Sequence, residues 1–395
     1  MTVNWGSGIL PPGQGPARTG VTVVWAHRED LVDNPVAAGS FALSGTGELT
    51  GWNQIQELGL IGTPIVFTNS QTVGLAYDAV WRYLVSRQLK VGKGGSRPIP
   101  VVGECSDSFL HDTRGFHDTD EQVYQALNGV RGGSVEEGCV GGGTGMHCFE
   151  CKGGVGTASR RLPDWQGGWT VGVLLVTNFG RRERLTGAGV PVGEHLLDRP
   201  RLPEHGREQG SCIVVVATDA PLDGSQFTRV AKRAAIGLGR TGSTGSSASG
   251  ELIVAFSTTS RREPAARPLV DRRPTGEEID PIFAAAIDAT EETVWNALCT
   301  LRATDGPAGH RLEAIPLDEL GQLLAAAGRL DARARRPLCC DPSLWAARRP
   351  SRRHLTEPCR KGTRLKLPRT GRAAGGSFRA ACRGRTRCIG SLPGA

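Results

Sequence analysis

Ser249 stands at the junction between a loop of small residues and a continuous apolar run. The loop, residues 240–248, reads RTGSTGSSA, and the run ELIVAF at 251–256 is typical of a buried strand. Such a junction can hold one hydroxyl at the start of a strand, as an N-terminal nucleophile requires. In that chemistry the hydroxyl cleaves the peptide bond before it, and the freed α-amine, with an ordinary pKa of roughly 8, becomes its base. The alternative interpretation is a flexible Gly/Ser linker ahead of an ordinary core strand.

A set of further segments favours the first interpretation by resemblance. In chain order they are RTGVTVV (18–24), GELTG (47–51), PIVFTNSQTVG (64–74), PVVGE (100–104), EGCVGGGTGM (137–146), KGGVGTASR (152–160), GWTVGVLLVTNFG (168–180), TDAPL (218–222), RTGS-x5-SGEL-x2-AFST (240–258) and ATEE (289–292). Jointly they resemble the family of L-aminopeptidase/D-Ala-esterase-amidases and β-peptidyl aminopeptidases, which are self-processing serine peptidases. The resemblance covers roughly residues 17–330.

The resemblance implies that Ser249 is the nucleophile and that the chain is cut between Ala248 and Ser249. Asn178, in VTNFG at the end of a predicted strand, would then donate its side-chain amide to the oxyanion. From the residues alone, Asn178 is also explained as a turn residue before Gly180. Ala248 departs from the family, which usually has Gly at this position, and we expect its Cβ to slow self-cleavage.

Glu137 opens a glycine-rich stretch that matches no phosphate-binding motif, because no GK[ST] follows it. We interpret residues 138–145 as a close backbone approach around a catalytic cleft, with Gly143 and Thr144 bordering the substrate. Glu137 would hold the new α-amine or the substrate's ammonium, since an ammonium that leaves water needs a charged partner. Family members often have Tyr where this chain has Phe149, so Phe149 is also expected at the substrate, without the hydroxyl.

Thr290, Glu291 and Glu292 lie in an amphipathic helix predicted over 280–301. Charged residues on such a helix mostly form a solvated face. By resemblance to the β-peptidyl branch, a hydroxyl and a carboxylate from this stretch instead contact the nucleophile's amine, with Thr290 close to the substrate. The sequence leaves open whether Glu291 or Glu292 supplies the carboxylate.

Strands and helices alternate along the chain, which predicts an α/β layered fold. The resemblance adds a specific version, a four-layer αββα sandwich like that of the Ntn hydrolases. Residues 1–16 are predicted to be irregular, without the strand that family members place before the RTGVT segment, and 181–209 to be a surface loop. The predicted helices cover 49–58, 71–89, 119–127, 225–238, 280–301 and 317–327, and the predicted strands cover 19–26, 64–69, 99–104, 169–179, 212–220 and 251–256.

The main domain is predicted over residues 17–330, with an α part, 17–248, and a β part, 249–330, after cleavage. Residues 331–395 differ in character, since they hold 17 Lys/Arg against 3 Asp/Glu, whereas residues 1–330 carry a net charge of −6. Low hydrophobicity with high charge predicts a disordered tail that is foreign to the fold. The tail has neither aromatic interleaving nor zinc-finger spacing, so we predict no nucleic-acid partner.

The N-terminus lacks the basic and apolar regions of a signal peptide, and no apolar run approaches the ~20 residues of a membrane span. Six cysteines scattered through residues 1–330 form no disulfide framework, which predicts a cytoplasmic protein with reduced thiols. Cys148 and Cys151 make one CxxC pair without a second pair, so we expect two packed residues rather than a zinc site. We predict neither a metal nor a cofactor.

The sequence therefore predicts a self-processing serine aminopeptidase that removes N-terminal residues from short peptides, amides or esters, with D- and β-amino acids among the candidate substrates. The resemblance implies a homo-oligomer of cleaved pairs. Two alternatives stay open. An acyltransferase of the ornithine-acetyltransferase type would use a Thr nucleophile, which Ser249 argues against. A non-processing, inactive homologue is kept open by Ala248, by Phe149, by the short N-terminus and by the distinct tail at 331–395.

Overall fold

The structure is a computed structural model that describes residues 2–6, 15–27, 30–88, 90–93, 97–202, 210–261 and 273–330. Its strands are β1 (Thr2–Gly6), β2 (Val21–Trp25), β3 (Val36–Gly45), β4 (Leu60–Ile61), β5 (Ile65–Thr68), β6 (Val101–Glu104), β7 (His147–Cys148), β8 (Cys151–Lys152), β9 (Val155–Arg161), β10 (Thr170–Asn178), β11 (Gly210–Thr218), β12 (Ser249–Arg261), β13 (Thr304–Asp305) and β14 (Arg311–Leu312). Its helices are α1 (Trp52–Leu58), α2 (Val73–Arg87), α3 (Asp120–Asn128), α4 (Gly224–Arg240), α5 (Asp280–Cys299) and α6 (Leu317–Ala326). None of these helices has the length and apolar character needed to cross a membrane. The predictions for residues 331–395 lie outside the described residues.

The smaller sheet has the order β1-β2-β5-β6, with β5 and β6 parallel and the other pairs antiparallel. The prediction that residues 1–16 are irregular is wrong for Thr2–Gly6, which pairs with β2 in continuous register from Thr2–Trp25 to Gly6–Val21. The Pro and Gly residues that follow this strand favoured an irregular segment in the prediction. Pairing with the backbone of β2 stabilises the strand, and the composition of residues 1–16 does not reveal that pairing.

The larger sheet has the order β4-β3-β12-β11-β10-β9. Its central strand, β12, runs parallel to β11 and antiparallel to β3, so both of its edges are paired. Continuous apolar runs in β10, β11 and β12 are typical of strands that are covered on both faces. β3 and β9 were not predicted, because VAAGSFALSG and VGTASRR are rich in small and polar residues.

Three hydrophobic clusters separate four layers. The first packs α2 and α3 on the outer face of the smaller sheet, through residues such as Ala76, Val80 and Val123. The second lies between the sheets and contains Phe67 and Val254. The third packs the larger sheet against α4 and α5; it comprises, among others, Val214, Ile253, Phe227, Ala234, Ala286 and Val294. The predicted four-layer αββα sandwich is therefore confirmed.

The segment 181–202 is more ordered and more buried than the predicted surface loop. It forms two short 3₁₀ helices, Arg182–Arg184 and Val192–Leu196. Leu185, Val192 and Leu196 join the core beneath the larger sheet. The buried Arg182 guanidinium donates to the carbonyls of Pro200, within the segment, and of Glu150, in the turn between β7 and β8, which ties the segment to that turn. The many polar and charged residues of this segment favoured the prediction of a surface loop, although its few apolar residues are buried.

Candidate active site

Ser249 is the first residue of the central strand β12, and neighbouring backbone fixes its position on two sides. It pairs with Gly210 of β11, and its carbonyl accepts a hydrogen bond from Thr46 N at 3.2 Å. Its own N–H donates to Ser246 O at 2.9 Å, which turns the preceding loop into the strand. Gly250 permits this approach, because a Cβ there would lie 2.3 Å from Thr46 O. The strand junction predicted for Ser249 is thus present.

The hydroxyl of Ser249 donates to Glu251 Oε1. Both residues are buried, and the two-residue spacing places their side chains on one face of β12, towards α4 and α5. Burial raises the pKa of Glu251 above its ordinary value, and the hydrogen bond from Ser249 partly offsets this. In the sequence, Glu251 stands out only as part of the SGEL motif; the alternation of side chains along a strand is the signal that could have identified it as a neighbour of the Ser249 hydroxyl.

On the other side of the same junction, Ala248 lines a cavity of about 580 Å³. Asn178, at the end of β10, lines it too and is held in one orientation. Its Oδ1 accepts from His147 N at 3.2 Å, and its Nδ2 donates to Ser106 O at 2.9 Å. The predicted oxyanion donor and the residue before the predicted nucleophile therefore face one cavity.

Glu104, at the end of β6, is the only carboxylate among the described residues that line this cavity. It accepts hydrogen bonds from Glu48 N at 3.1 Å and from the hydroxyl of Ser70. A Cβ built on Gly47 would lie 3.2 Å from Glu104 Oε1 and 3.7 Å from Gly250 Cα, so the carboxylate is a neighbour of the strand start. The PVVGE segment alone gives Glu104 no predicted role, because its sequence position does not show which strand end it faces.

His147 also lines the cavity. Burial, together with the nearby Lys152 ammonium, lowers the pKa of His147 to about 4. Its ring is therefore neutral at neutral pH. The cavity therefore presents the Glu104 carboxylate and the neutral ring of His147 to a bound molecule.

Glu137 is not brought to Ser249. Its Oε1 accepts from the N and Oγ1 atoms of Thr157, both at 2.7 Å. Through the strand register, Thr157 is level with Val254 of β12. Val254 lies five positions beyond Ser249, or roughly 16 Å along the strand. Burial is the largest influence on the pKa of Glu137 and raises it, while the hydrogen bonds from Thr157 act in the opposite direction.

The glycine-rich run makes the close backbone approach predicted for residues 138–145, but against the strands rather than around the cavity. A Cβ on Gly143 would lie 2.6 Å from Val155 N, and one on Gly141 would lie 2.4 Å from Thr22 Oγ1. Thr144 is buried, and its hydroxyl donates to Gly141 O at 2.7 Å. Gly143 and Thr144 thus pack inside the fold instead of lining the 580 Å³ cavity.

Phe149 is buried on the helix side of the larger sheet, edge-on to Phe179 with 5.4 Å between the ring centroids. Its backbone and that of Glu150 adopt the left-handed conformation, with φ of 49° and 60°. Phe149 therefore contributes to the core and does not line the cavity that contains Ala248. Cys148 and Cys151 are reduced and buried in the same core, as the prediction of two packed residues requires.

Thr290, Glu291 and Glu292 make their contacts along α5. Thr290 is buried and donates to Ala286 O at 2.7 Å. Glu291 lies 3.4 Å from Arg240, and Glu292 pairs with Arg160. Within the described part of the chain, none of the three is hydrogen-bonded to Ser249. Glu292 is the less exposed of the two carboxylates, with 14% of its side chain accessible against 24% for Glu291.

A four-layer sandwich whose central strand begins with a buried serine defines a class of protein, the hydrolases with an Ntn-type fold. Comparison with known proteins narrows this class. A model of peptidase family S58 matches residues 3–312. The beta-peptidyl aminopeptidase BapA of Sphingosinicella microcystinivorans is 40% identical over 342 residues, which cover 83% of this chain and 85% of that relative.

Two solved structures agree with this placement. The L-aminopeptidase D-Ala-esterase/amidase of Ochrobactrum anthropi, described as a variant of the Ntn hydrolase fold, matches with a TM-score of 0.75 and 38% identity over 84% of this chain and 93% of that chain. A beta-aminopeptidase of Burkholderia sp. matches with a TM-score of 0.74 and 39% identity over 83% and 92%. The chain belongs to peptidase family S58, and it is a serine aminopeptidase, as the sequence resemblance predicted.

Proposed function

We propose that this chain cleaves itself between Ala248 and Ser249 and then removes N-terminal residues from short peptides, amides or esters. The observation that carries the proposal is the buried Ser249 at the first position of a central strand, with Ala248 facing a cavity beside it. A loop of small residues precedes this position, so the bond to be cut sits where the loop ends.

In this proposal Ser249 Oγ is the nucleophile in both reactions. In the uncleaved chain this hydroxyl faces Glu251 on the helix side of β12, so attack on a substrate in the 580 Å³ cavity requires the Ser249 side chain to turn towards that cavity after the cut. After self-cleavage the α-amine of Ser249 takes the hydroxyl's proton, since an amine with an ordinary pKa of roughly 8 is a competent base near neutral pH. Asn178 Nδ2 donates to the oxyanion of the tetrahedral intermediate. The hydrogen bonds of Asn178 to His147 N and Ser106 O support this role, because they fix the amide before the reaction begins.

Substrate binding requires a carboxylate for the free ammonium of an N-terminal residue. We assign this role to Glu104 rather than to Glu137. Glu104 borders the cavity that Ala248 and Asn178 line, whereas Glu137 lies level with a position roughly 16 Å further along β12. A contact of Glu291 or Glu292 with the α-amine of Ser249 also remains part of the proposal, and it is supported by the family resemblance alone.

The substrate range is proposed from the relatives. The related enzymes are described as β-peptidyl aminopeptidases and as an L-aminopeptidase D-Ala-esterase/amidase. Peptides and amides with N-terminal β- or D-residues are therefore the first substrates to assay.

The assembly proposed for the cleaved protein is a homo-oligomer of cleaved pairs, as the family resemblance implies. A cytoplasmic location is supported by the described cysteines, since Cys105, Cys139, Cys148, Cys151, Cys212 and Cys299 are all free thiols.

An intact-mass spectrum of the purified chain tests the proposal, with Ser249→Ala and Ser247→Ala as the variant and its matched control. We expect two fragments that meet at Ala248/Ser249 in the parent and in Ser247→Ala, and a single chain in Ser249→Ala. The cleaved protein should then hydrolyse β- and L-amino-acid p-nitroanilides. A parent chain that stays whole under all conditions would establish the non-processing homologue instead.

A further inference from the structure

We propose that Glu251 is the general base for self-cleavage, the one turnover in which the α-amine of Ser249 does not yet exist. Before the cut, Ser249 N belongs to a peptide bond and has no lone pair available to accept a proton. The first attack therefore needs another base at the hydroxyl. This inference rests on the proposed self-cleavage and goes beyond the aminopeptidase activity, in which the α-amine serves as the base.

The contact that carries the inference is direct. Glu251 Oε1 accepts a hydrogen bond from the hydroxyl of Ser249, and the i, i+2 spacing on β12 holds both side chains on one face. Both residues are almost fully buried, with 3% of Ser249 and 1% of Glu251 accessible. Glu251 Oε2 has no hydrogen-bond partner among the described residues, so the carboxylate is not committed to another donor.

A small cavity of about 180 Å³ adjoins this pair, lined by Ser249, Glu251 and the loop Gly242–Ser247. A Cβ on Gly245 would lie 3.8 Å from Glu251 Oε2, so the loop covers the carboxylate. The charged groups that share this cavity are Arg181 and Arg184, and the Cys212 thiol faces Glu251 from β11. The Arg184 guanidinium donates to Thr244 Oγ1 at 2.8 Å, which keeps it on the loop.

Self-cleavage by this route needs no reactant other than water. Glu251 takes the proton from Ser249 Oγ as that oxygen bonds to the carbonyl carbon of Ala248. Collapse of the tetrahedral intermediate breaks the bond from this carbon to Ser249 N, and Glu251 returns the proton to the leaving nitrogen. The product is an ester between Ala248 and Ser249 Oγ with a free α-amine. Water then hydrolyses the ester, which frees the Ala248 carboxylate and the hydroxyl of Ser249.

The experiment follows precursor disappearance by mass spectrometry after a cell-free translation pulse. Glu251→Gln keeps the size of the side chain and removes the base, so self-cleavage should slow by about 10²-fold or more. Asp219→Asn is the matched control: its Oδ1 accepts from Thr170 N at 2.6 Å at the opposite end of the sheet, and an amide oxygen can do the same. It should cleave at the parent rate.

Two further readouts separate a base from a structural residue. The parent rate should rise with pH through the pKa of Glu251, whereas Glu251→Gln should lack that rise. Glu251→Ala leaves space beside Ser249, so added formate should restore part of its cleavage, with circular dichroism used to check that the variant is folded. A parent that cleaves while Glu251→Gln cleaves equally fast overturns the role of Glu251 and leaves the proposed function intact. Slow cleavage without a changed pH profile and without formate rescue overturns it too.

Discussion

Gly250→Ala is a sharp test of how the fold positions the nucleophile. The added Cβ would lie 2.3 Å from Thr46 O and 2.8 Å from Thr46 C, and both atoms are backbone. Relief of this overlap requires a shift of roughly 1 Å between β12 and the end of β3, since nonbonded heavy atoms settle near 3.5 Å. Because Ser249 is the adjoining residue, the shift moves the hydroxyl, and a misplacement of about 1 Å can slow a reaction about 10²-fold.

We therefore expect Gly250→Ala to self-cleave about 100-fold more slowly than the parent and to lose about 1–3 kcal/mol of stability through overpacking. The control is Gly239→Ala, where a Cβ on α4 meets no atom within 4 Å. It should cleave normally and gain up to about 1 kcal/mol from helix propensity. Intact mass gives the cleavage rate, and thermal melts give stability. Cleavage of Gly250→Ala at the parent rate would refute the argument that the contact with Thr46 fixes Ser249.

Three other outcomes follow from the same geometry. Asn178→Ala should lower kcat of the cleaved enzyme by about 10²–10³-fold through loss of one oxyanion donor, with a p-nitroanilide assay as the measurement. Glu104→Gln should raise KM for free-amine substrates about 10-fold or more while kcat changes little; equal KM values would remove Glu104 from substrate binding. Burial raises the pKa of Asp107 to about 8, so the folded chain retains a proton that the unfolded chain loses near pH 4, and parent stability falls as pH rises between about 4 and 8. The difference in Tm between Asp107→Asn and the parent should therefore grow with pH, and a constant difference contradicts the raised pKa.

The sequence was most informative where one segment carried its own signal. The apolar runs of β10, β11 and β12 predicted the core of the larger sheet, and apolar periodicity predicted α2 and α5 to within a few residues. β1 and β9 were missed, since their pairing depends on partner strands rather than on their own composition. A two-residue spacing within one strand is likewise local, yet it identified Glu251 only after the strand's buried face was known.

Residues distant in sequence were harder to place around Ser249. Glu104 is the last residue of β6 in the smaller sheet, and Ala248 precedes β12 in the larger one. The stacking of the two sheets brings both residues to one cavity. Glu137 was chosen from its position beside a glycine-rich stretch, but the strand register carries it away from the nucleophile. Sequence spacing does not contain the register between strands, so it could not distinguish these two carboxylates.

Hydrogen bonds to residues outside the loop hold both sides of the proposed cleavage site, and Ser249 N–H also donates to Ser246 O across it. Before the cut, the carbonyls of Ser246 and Ser247 accept from the hydroxyls of Ser44 and Thr46, each at 3.1 Å. After it, Ser249 remains in β12 through its pairing with β11 and through Thr46 N. Breaking the peptide bond therefore removes no strand from the larger sheet, whose β12 is covered by β3 and β11. The two fragments should stay associated as one folded unit, with the new chain ends held near each other by β3. Separation of the fragments on gel filtration without denaturant would show that the peptide bond itself, rather than the sheet, held them together.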